Sequence, residues 1–252
     1  PMHSVCCRLL CRLWLALAFI PGVVSAHALE IHGSNTVGAT LAPMLMTGFL
    51  EQLAGQSVSS TATGTENEAL LSTTLDGNPL TVLVAAHGTG TGFASMLASK
   101  ADIWAASRRV NAREIAAMAS RAEMTSADSE HVIAIDGLAI LVHPSNPVQQ
   151  LSIDNLAKIF AGEIDNWSAV GGTDLAIQIY ARDEQSGTWD TFKELVLAGQ
   201  YALTDTALRY ESNDQLSDDV SRNPAGIGFS GFASVRDSKL LAISDGTAPA
   251  LK

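Results

Sequence analysis

The sequence predicts an α/β protein in which helices flank largely parallel β-sheets. Short aliphatic or β-branched segments alternate along the chain with longer segments of helical periodicity, which is the pattern of strands joined by crossover helices. Hydrophobic residues make up 47% of the 252 residues but aromatic residues only 6%, as expected for an aliphatic core between sheets and helices. Several predicted strands are followed by turns rich in glycine and hydroxyl residues, and such turns border the ligand sites of open α/β sheets.

The first 28 residues have the features of a secretory signal sequence. Arg8 and Arg12 precede an apolar core at 13–20, and Ala26-His27-Ala28 fits a cleavage site. A retained anchor is the alternative, although the apolar core is shorter than the roughly 20 residues that a membrane-spanning helix needs. Cleavage predicts a periplasmic protein. Because all three cysteines lie in 1–28, the mature chain would hold no disulfide and no thiolate metal site.

The chain is acidic, with a formal net charge of −11 at pH 7. Removing residues 1–28 takes away two arginines and no acidic residue, so the charge moves from −11 to −13 and 224 residues remain. Nucleic acid is excluded as a partner, since it requires clustered lysines and arginines. An anionic ligand would have to be held by local dipoles and a few arginines, because the long-range field repels it. The length suffices for one large domain or two lobes of about 100 residues each.

Four strand–helix pairs are predicted between residues 29 and 119. The strands are short and rich in aliphatic or β-branched residues, and the following helices repeat apolar residues every three or four positions. The strands are expected at 29–32, 57–63, 80–86 and 101–106, and the helices at 37–50, 66–71, 93–99 and 111–119.

The second half continues the alternation after a long apolar run at 132–143. Asp136-Gly137 interrupts this run, either as a crossover turn or with Asp136 as a hydrogen-bonding hinge residue. Ser152 is expected to cap a helix. The elements predicted here are helices at 152–160, from 188 onward and at 214–221, with strands at 175–180, 227–229 and 240–243.

The segment 182–188 carries the strongest indication of a binding site. It follows a predicted strand and places Ser186-Gly187-Thr188 at a helix start, where unpaired N–H groups, hydroxyls and the helix dipole favour an anion. Arg182 adds a fixed charge whose planar fork fits a tetrahedral oxyanion. An ordinary helix cap beside a surface arginine is the alternative.

Three further turns repeat this chemistry, at 33–36, 88–92 and Ser107-Arg108. Each alone is weak evidence, because glycine, serine and threonine commonly start helices. Turns at the carboxyl ends of parallel strands lie at the same edge of a sheet. The four turns are therefore expected to converge on one anion.

In this order and context, these residues resemble the phosphate-binding proteins of ABC importers, which have the type II periplasmic binding protein fold. The matching stretches are 33–37, 88–92, 101–108, 135–139, 159–167 and 182–188. The resemblance implies a monomer of two lobes that close over inorganic phosphate, with no cofactor, no metal and an ABC permease as partner. It implies a lobe I made of 29–134 plus 235–252 and a lobe II made of 135–234.

The resemblance also implies which residues bind phosphate. The first turn would supply Ser34, Thr36 and Val37, the second Thr89, the third Ser107 and Arg108, and lobe II Arg182, Ser186, Gly187 and Thr188. Glu184 lies where the family places a carboxylate that braces the arginine, and a solvated turn residue is the alternative.

Arg108 departs from the family pattern. Well-studied high-affinity members carry an aspartate directly after the third-turn serine, where it accepts the proton of bound phosphate. Such an acceptor rejects sulfate, which has no hydrogen to offer. Arg108 would instead add a second cation or point to solvent, so the preference for phosphate over another oxyanion is left open.

Two other functions stay open from the sequence. An enzyme built around Ser186 is disfavoured, because the chain has no Gly-x-Ser-x-Gly elbow and no histidine placed beside a candidate serine. A binding or structural role at the cell envelope is the other, because some relatives with this N-terminal pattern continue into a peptidoglycan-binding domain. The chain would then be a fragment of a longer protein.

Overall fold

The computed structural model describes residues 29–245, so the predicted signal sequence at 1–28 and residues 246–252 lie outside the described part. Two five-stranded sheets flanked by helices form most of it, together with a two-stranded sheet. The predicted two-lobed α/β class is confirmed. Below, lobe I means the first sheet with the helices around it, and lobe II means the second.

The sheet of lobe I has the strand order β2-β3-β4-β1-β5. The neighbours of β1 are parallel to it, whereas β2, β3 and β4 pair antiparallel. Buried Ile31, Leu71, Val82 and Val84 form its aliphatic core. The elements are β1 (Leu29–Gly33), α1 (Asn35–Gly38), α2 (Leu41–Ala54), β2 (Ser59–Ala62), β3 (Glu68–Leu75), β4 (Asn78–Ala85), α3 (Thr89–Leu97), β5 (Ile103–Ala105) and α4 (Ala112–Met118).

The helix predicted at 66–71 is wrong, because this segment belongs to a β-hairpin formed by β3 and β4. Asp76 and Gly77 make the two-residue turn, with φ values of 51° and 80°. Asp-Gly is a preferred pair for such a turn, but a short apolar segment such as 66–71 fits a helix and a strand equally well. The hairpin makes the sheet mixed rather than largely parallel.

The sheet of lobe II has the order β11-β6-β10-β8-β9. It is also mixed, since β8 is parallel to β9 and β10 while β6 is antiparallel to β10 and β11. Phe160, Phe192 and Phe229 pack ring against ring in its core, with centroids 4.0 to 5.7 Å apart. The elements are β6 (Leu138–Val142), β7 (Gln150–Ser152), α5 (Ile153–Phe160), β8 (Gln178–Arg182), α6 (Gly187–Phe192), β9 (Leu208–Tyr210), α7 (Asn213–Arg222), β10 (Gly226–Gly231), β11 (Lys239–Leu240) and β12 (Ala242–Ser244), with 3-10 helices at Trp167–Val170 and Phe232–Ser234 and a π-helix at Lys193–Leu197.

The prediction that residues 235–252 return to lobe I is wrong for the strands described in this region. β11 pairs with β6, and β12 pairs with β7, so both strands lie against lobe II. The connection from β10 through the 3-10 helix is short and returns the chain beside β6. Apolar alternation predicts that a strand forms but does not identify its neighbour.

Among residues 29–245, the structure contains no helix that is long and apolar enough to cross a membrane. Within the same range, no group of three or more His, Cys, Asp or Glu side chains is arranged to hold a metal ion.

Candidate functional site

The four glycine and hydroxyl turns meet between the two lobes. Thr36 Oγ1 and Thr188 Oγ1 are 3.2 Å apart and join the first turn to the fourth. Thr89 Oγ1 and Ser107 Oγ are 3.3 Å apart and join the second turn to the third. A Cβ atom on Gly187 would lie 2.4 Å from Ser107 Oγ and 2.5 Å from Thr89 Oγ1, so the fourth turn also touches the second and third.

The turns of lobe I converge because parallel strands end at the same edge of a sheet. Backbone hydrogen bonds then fix the turns to one another: Ser34 N donates to Ala105 O at 2.7 Å, and Gly88 N donates to Gly33 O at 2.7 Å. Gly33 has a φ of 145°, and a Cβ there would lie 1.9 Å from Ala105 O. Glycine is therefore required where the first turn passes over the end of β5.

Lobe II contributes the start of α6. Ser186 is buried, and its Oγ accepts a hydrogen bond of 3.3 Å from Trp189 N, as an N-cap residue does. Gly90 N of lobe I donates to Gln185 O at 3.0 Å, which ties this turn to the start of α3. The expected helix cap is thus present, and it lies in the interface between the lobes instead of on the surface.

Arg182, the last residue of β8, is only 1% exposed. Its Nε donates to Tyr210 O at 3.1 Å, and its two terminal nitrogens donate to Asn213 Oδ1 and to Glu211 O. A guanidinium has five N–H donors, so one N–H stays available on each terminal nitrogen. Burial lowers the pKa of Arg182 from its usual value to about 10, against the opposing effect of the Asp183 and Glu211 carboxylates. The side chain is therefore a rigid cation at neutral pH.

The prediction that Glu184 braces Arg182 is wrong. The Glu184 side chain is 78% exposed, and its carboxylate lies 3.9 Å from Arg209. The groups that hold Arg182 are instead two backbone carbonyls and one side-chain amide in the connection from β9 to α7. Glu184 lies in the exposed turn after β8, whereas the arginine lies within the fold.

Asn213 is a site residue that the sequence analysis did not identify. Its amide oxygen accepts from Arg182, and its Nδ2 donates to Thr36 Oγ1 at 3.0 Å and to Asn35 Oδ1 at 3.3 Å. Asn213 therefore links the arginine of lobe II to the first turn of lobe I. In the sequence it is simply the residue after the Ser212 helix cap, so no local pattern marks it.

The side-chain amide of Asn35 belongs to the same hydrogen-bond network. Its oxygen accepts from the backbone N and from Nδ2 of Asn213. Its Nδ2 is buried and has no hydrogen-bond partner among residues 29–245. A buried donor without a partner is costly, and this one lies in the turn predicted to bind an anion.

Arg108 neither adds a free cation to the site nor points to solvent. Its terminal nitrogens donate to the two oxygens of Glu114 at 2.7 and 2.8 Å, and its Nε donates to Asp190 of lobe II at 2.7 Å. The hydrogen bonds that Arg108 donates to Glu114, together with the one that it donates to Asp190, raise the pKa of Arg108 against the opposing effect of burial. Glu114 also forms a capping box with Asn111 at the start of α4. Two carboxylates thus compensate the charge of Arg108. Because Glu114 belongs to lobe I and Asp190 to lobe II, Arg108 also joins the lobes.

His87 forms another contact between the lobes. Its Nε2 lies 3.0 Å from Glu68 Oε1 and its Nδ1 lies 2.9 Å from Glu211 Oε1, so both ring nitrogens face carboxylates. Partial burial acts to lower the pKa of His87, but the hydrogen bonds with Glu68 and Glu211 outweigh burial and the pKa is raised.

We expect His87→Gln to remove a pH-dependent part of the stability. Because the pKa in the folded state is raised above 6.5, protonated His87 stabilises the fold below pH 6.5, and this stabilisation disappears as the pH rises through the folded-state pKa. Urea unfolding from about pH 5 to about pH 8 should show that the difference between wild type and variant shrinks with increasing pH. His143→Gln, which affects a ring bonded to Ser145, is the control. A difference that stays constant with pH would contradict the prediction.

Comparison with known protein families gives one extensive match. A model described as a PBP superfamily domain matches residues 47–252. The phosphate-binding protein PstS of Bacillus subtilis (strain 168) is 31% identical over 172 residues, which are 68% of this chain and 54% of that protein. Protein SphX of Synechococcus elongatus is 32% identical over 166 residues, 64% of this chain and 48% of that protein. The chain thus spans about half the length of these curated relatives.

Solved structures share the fold. A phosphate ABC transporter substrate-binding protein from Clostridium perfringens superposes with a TM-score of 0.66 at 22% identity, over 86% of this chain and 76% of that one. An ABC-type phosphate transport receptor from Vibrio cholerae superposes with a TM-score of 0.58 at 26% identity, over 88% of this chain and 78% of that one. Both superpositions extend over both lobes.

Proposed function

The chain belongs to the PBP superfamily, and on this premise we propose that it binds inorganic phosphate in the cleft between its lobes. The observation that carries the proposal is the meeting of four donor-rich turns beside the buried guanidinium of Arg182. Hydroxyls, backbone N–H groups and a forked cation are the groups that hold a tetrahedral oxyanion. The names of the relatives in Bacillus subtilis and Vibrio cholerae point to the same ligand.

The proposed binding groups come from both lobes. They are the hydroxyls of Thr36, Thr89, Ser107 and Thr188, the backbone N–H groups of Val37 and Gly187, and the two available N–H groups of Arg182. Ser34 and Ser186 are buried beside them, and Ser186 caps α6. Arg108 is left out of this set, because Glu114 and Asp190 already hold it.

We propose that the cleft binds phosphate and that Ser186 does not act as a catalytic nucleophile. Ser186 Oγ accepts a hydrogen bond from Trp189 N, whereas the side-chain partners of His32, His87 and His143 are Glu30, Glu68, Glu211 and Ser145. A ligand that touches both lobes favours their closed arrangement by its greater affinity for it. In this proposal the protein is exported to the periplasm. There the phosphate-bound, closed form either delivers phosphate to an ABC permease or serves as a signal of phosphate.

Calorimetric titration of the protein with phosphate, sulfate and nitrate tests the proposal. We expect one phosphate to bind per chain and to raise the melting temperature, because a ligand that binds only the folded state stabilises it. If titration with sulfate or nitrate gives a heat of binding and titration with phosphate at millimolar concentration gives none, the site is assigned to that other anion.

A further inference from the structure

Hydrogen phosphate differs from sulfate in carrying an O–H donor at neutral pH. A site made only of N–H and O–H donors binds both anions. A fixed carboxylate accepts a hydrogen bond from hydrogen phosphate and faces only lone pairs and negative charge in sulfate. Selection between the two anions therefore requires an acceptor next to the donors described above.

Most carboxylates around the cleft already hold partners. Two of them compensate Arg108, one faces His87, one lies near Arg209, and one accepts a backbone N–H in the turn after β8. These carboxylates are those of Glu114, Asp190, Glu211, Glu184 and Asp183.

Asp136, on the segment that enters β6, is held differently. Its Oδ1 accepts hydrogen bonds from Gly137 N at 2.8 Å and from Phe232 N at 3.2 Å. These bonds fix the carboxylate against the end of β10. Within residues 29–245, both hydrogen bonds of this carboxylate go to Oδ1, and Oδ2 accepts none. One oxygen thus positions the carboxylate, and the other is available to a ligand.

Gly231 brings the available oxygen beside the first turn. A Cβ at Gly231 would lie 2.7 Å from Asp136 Oδ2, 3.2 Å from Thr36 Cγ2 and 3.5 Å from Thr36 Oγ1. The carboxylate and the Thr36 hydroxyl therefore both lie against Gly231 and close to each other. Gly231 N also donates to Asn213 Oδ1 at 3.4 Å, and this amide holds Arg182.

A groove of about 440 Å³ connects Asp136 to two of the proposed binding turns. Its wall includes Val37 of the first turn, Ser107 of the third turn and Asp136 itself. Asp136 is exposed, so its carboxylate is accessible from the groove.

We propose that Asp136 accepts the hydrogen bond of the protonated oxygen of bound phosphate and so selects hydrogen phosphate over sulfate. The inference rests on the proposed function and adds a specificity-determining residue to that site. It also accounts for the arginine at position 108, because an acceptor that enters from the segment before β6 makes an aspartate after Ser107 unnecessary.

Titration of the whole chain with phosphate and with sulfate at neutral pH, for wild type and Asp136→Asn, tests this role. Asparagine keeps an oxygen for the N–H groups of Gly137 and Phe232 but can present an amide donor to the ligand. We expect the phosphate affinity to fall about 10- to 100-fold and the sulfate affinity to rise. Asp205→Asn, at an exposed turn residue, removes the same charge elsewhere and should leave both affinities unchanged.

Asp136→Ser is a second variant that removes the charge while keeping a hydroxyl oxygen, and melting curves establish that each variant folds. If folded variants keep the phosphate-to-sulfate ratio of the wild type, the inference is overturned and phosphate binding stands. A wild type that binds both anions alike overturns the inference as well. A wild type that binds no phosphate overturns the proposed function and the inference together.

Discussion

Replacing Arg182 by methionine is expected to weaken phosphate binding by at least about 100-fold. After the bonds to Asn213 and Glu211, each terminal nitrogen of Arg182 keeps one N–H for the ligand. Losing two charge-assisted hydrogen bonds costs roughly 3 kcal/mol or more. Methionine keeps an unbranched apolar stem that can pack like the methylene groups of arginine, but it lacks the guanidinium and offers no donor. Calorimetry with phosphate measures the loss.

Two further variants separate the charge of Arg182 from its shape. Arg182→Lys keeps the cation but lacks the planar fork, so we expect an affinity between those of wild type and Arg182→Met. Arg222→Met removes an equal charge from an exposed position on α7 and should leave the affinity unchanged. A folded Arg182→Met protein that binds phosphate as tightly as the wild type would rule out the proposed site.

Gly187→Ala is expected to lower the phosphate affinity by about 100-fold, because it holds the lobes apart. The added methyl group would lie 2.4 Å from Ser107 Oγ and 2.5 Å from Thr89 Oγ1, well inside van der Waals contact. Both hydroxyls belong to lobe I, so α6 of lobe II must move away from them. Overpacking of this kind costs about 1–3 kcal/mol, and it falls on the closed arrangement that binds the ligand.

Small-angle X-ray scattering with saturating phosphate should show a larger radius of gyration for Gly187→Ala than for the wild type. Gly48→Ala is the matched control, since no atom lies within 4 Å of a Cβ at this position of α2. It should leave the affinity unchanged and stabilise the helix by up to about 1 kcal/mol. If Gly187→Ala closes and binds as the wild type does, Gly187 does not lie in the ligand cleft.

The fold was predictable to the level of class and of most single elements. Ser152 caps α5 and Ser186 caps α6 as the local patterns indicate. The error at 66–71 arose from a short apolar segment whose state depends on its neighbour, β4. The error at 235–252 came from the family resemblance, and the local pattern could not have corrected it, since alternation of apolar residues predicts a strand without identifying its partner.

The candidate site was predictable in its chain segments and not in its supporting contacts. The turns around Thr36, Thr89, Ser107 and Thr188 were identified because glycine and hydroxyl residues follow strands. The partners of Arg182 were missed, because two are backbone carbonyls and the third is an asparagine 31 positions away. Backbone carbonyls carry no side-chain signature.

The sequence by itself determined the α/β alternation, the acidic character, the positions of the four turns and the presence of Arg182 in the fourth of them. These properties depend on composition and on residues a few positions apart. Only the tertiary structure decided that Arg108 is compensated by Glu114 and Asp190, that Asn213 joins the lobes, and that Asp136 lies beside Thr36. Each of these contacts depends on which segments the folded chain brings together, because a hydrogen bond or ion pair requires its two groups within about 3 Å, however far apart they lie in the sequence.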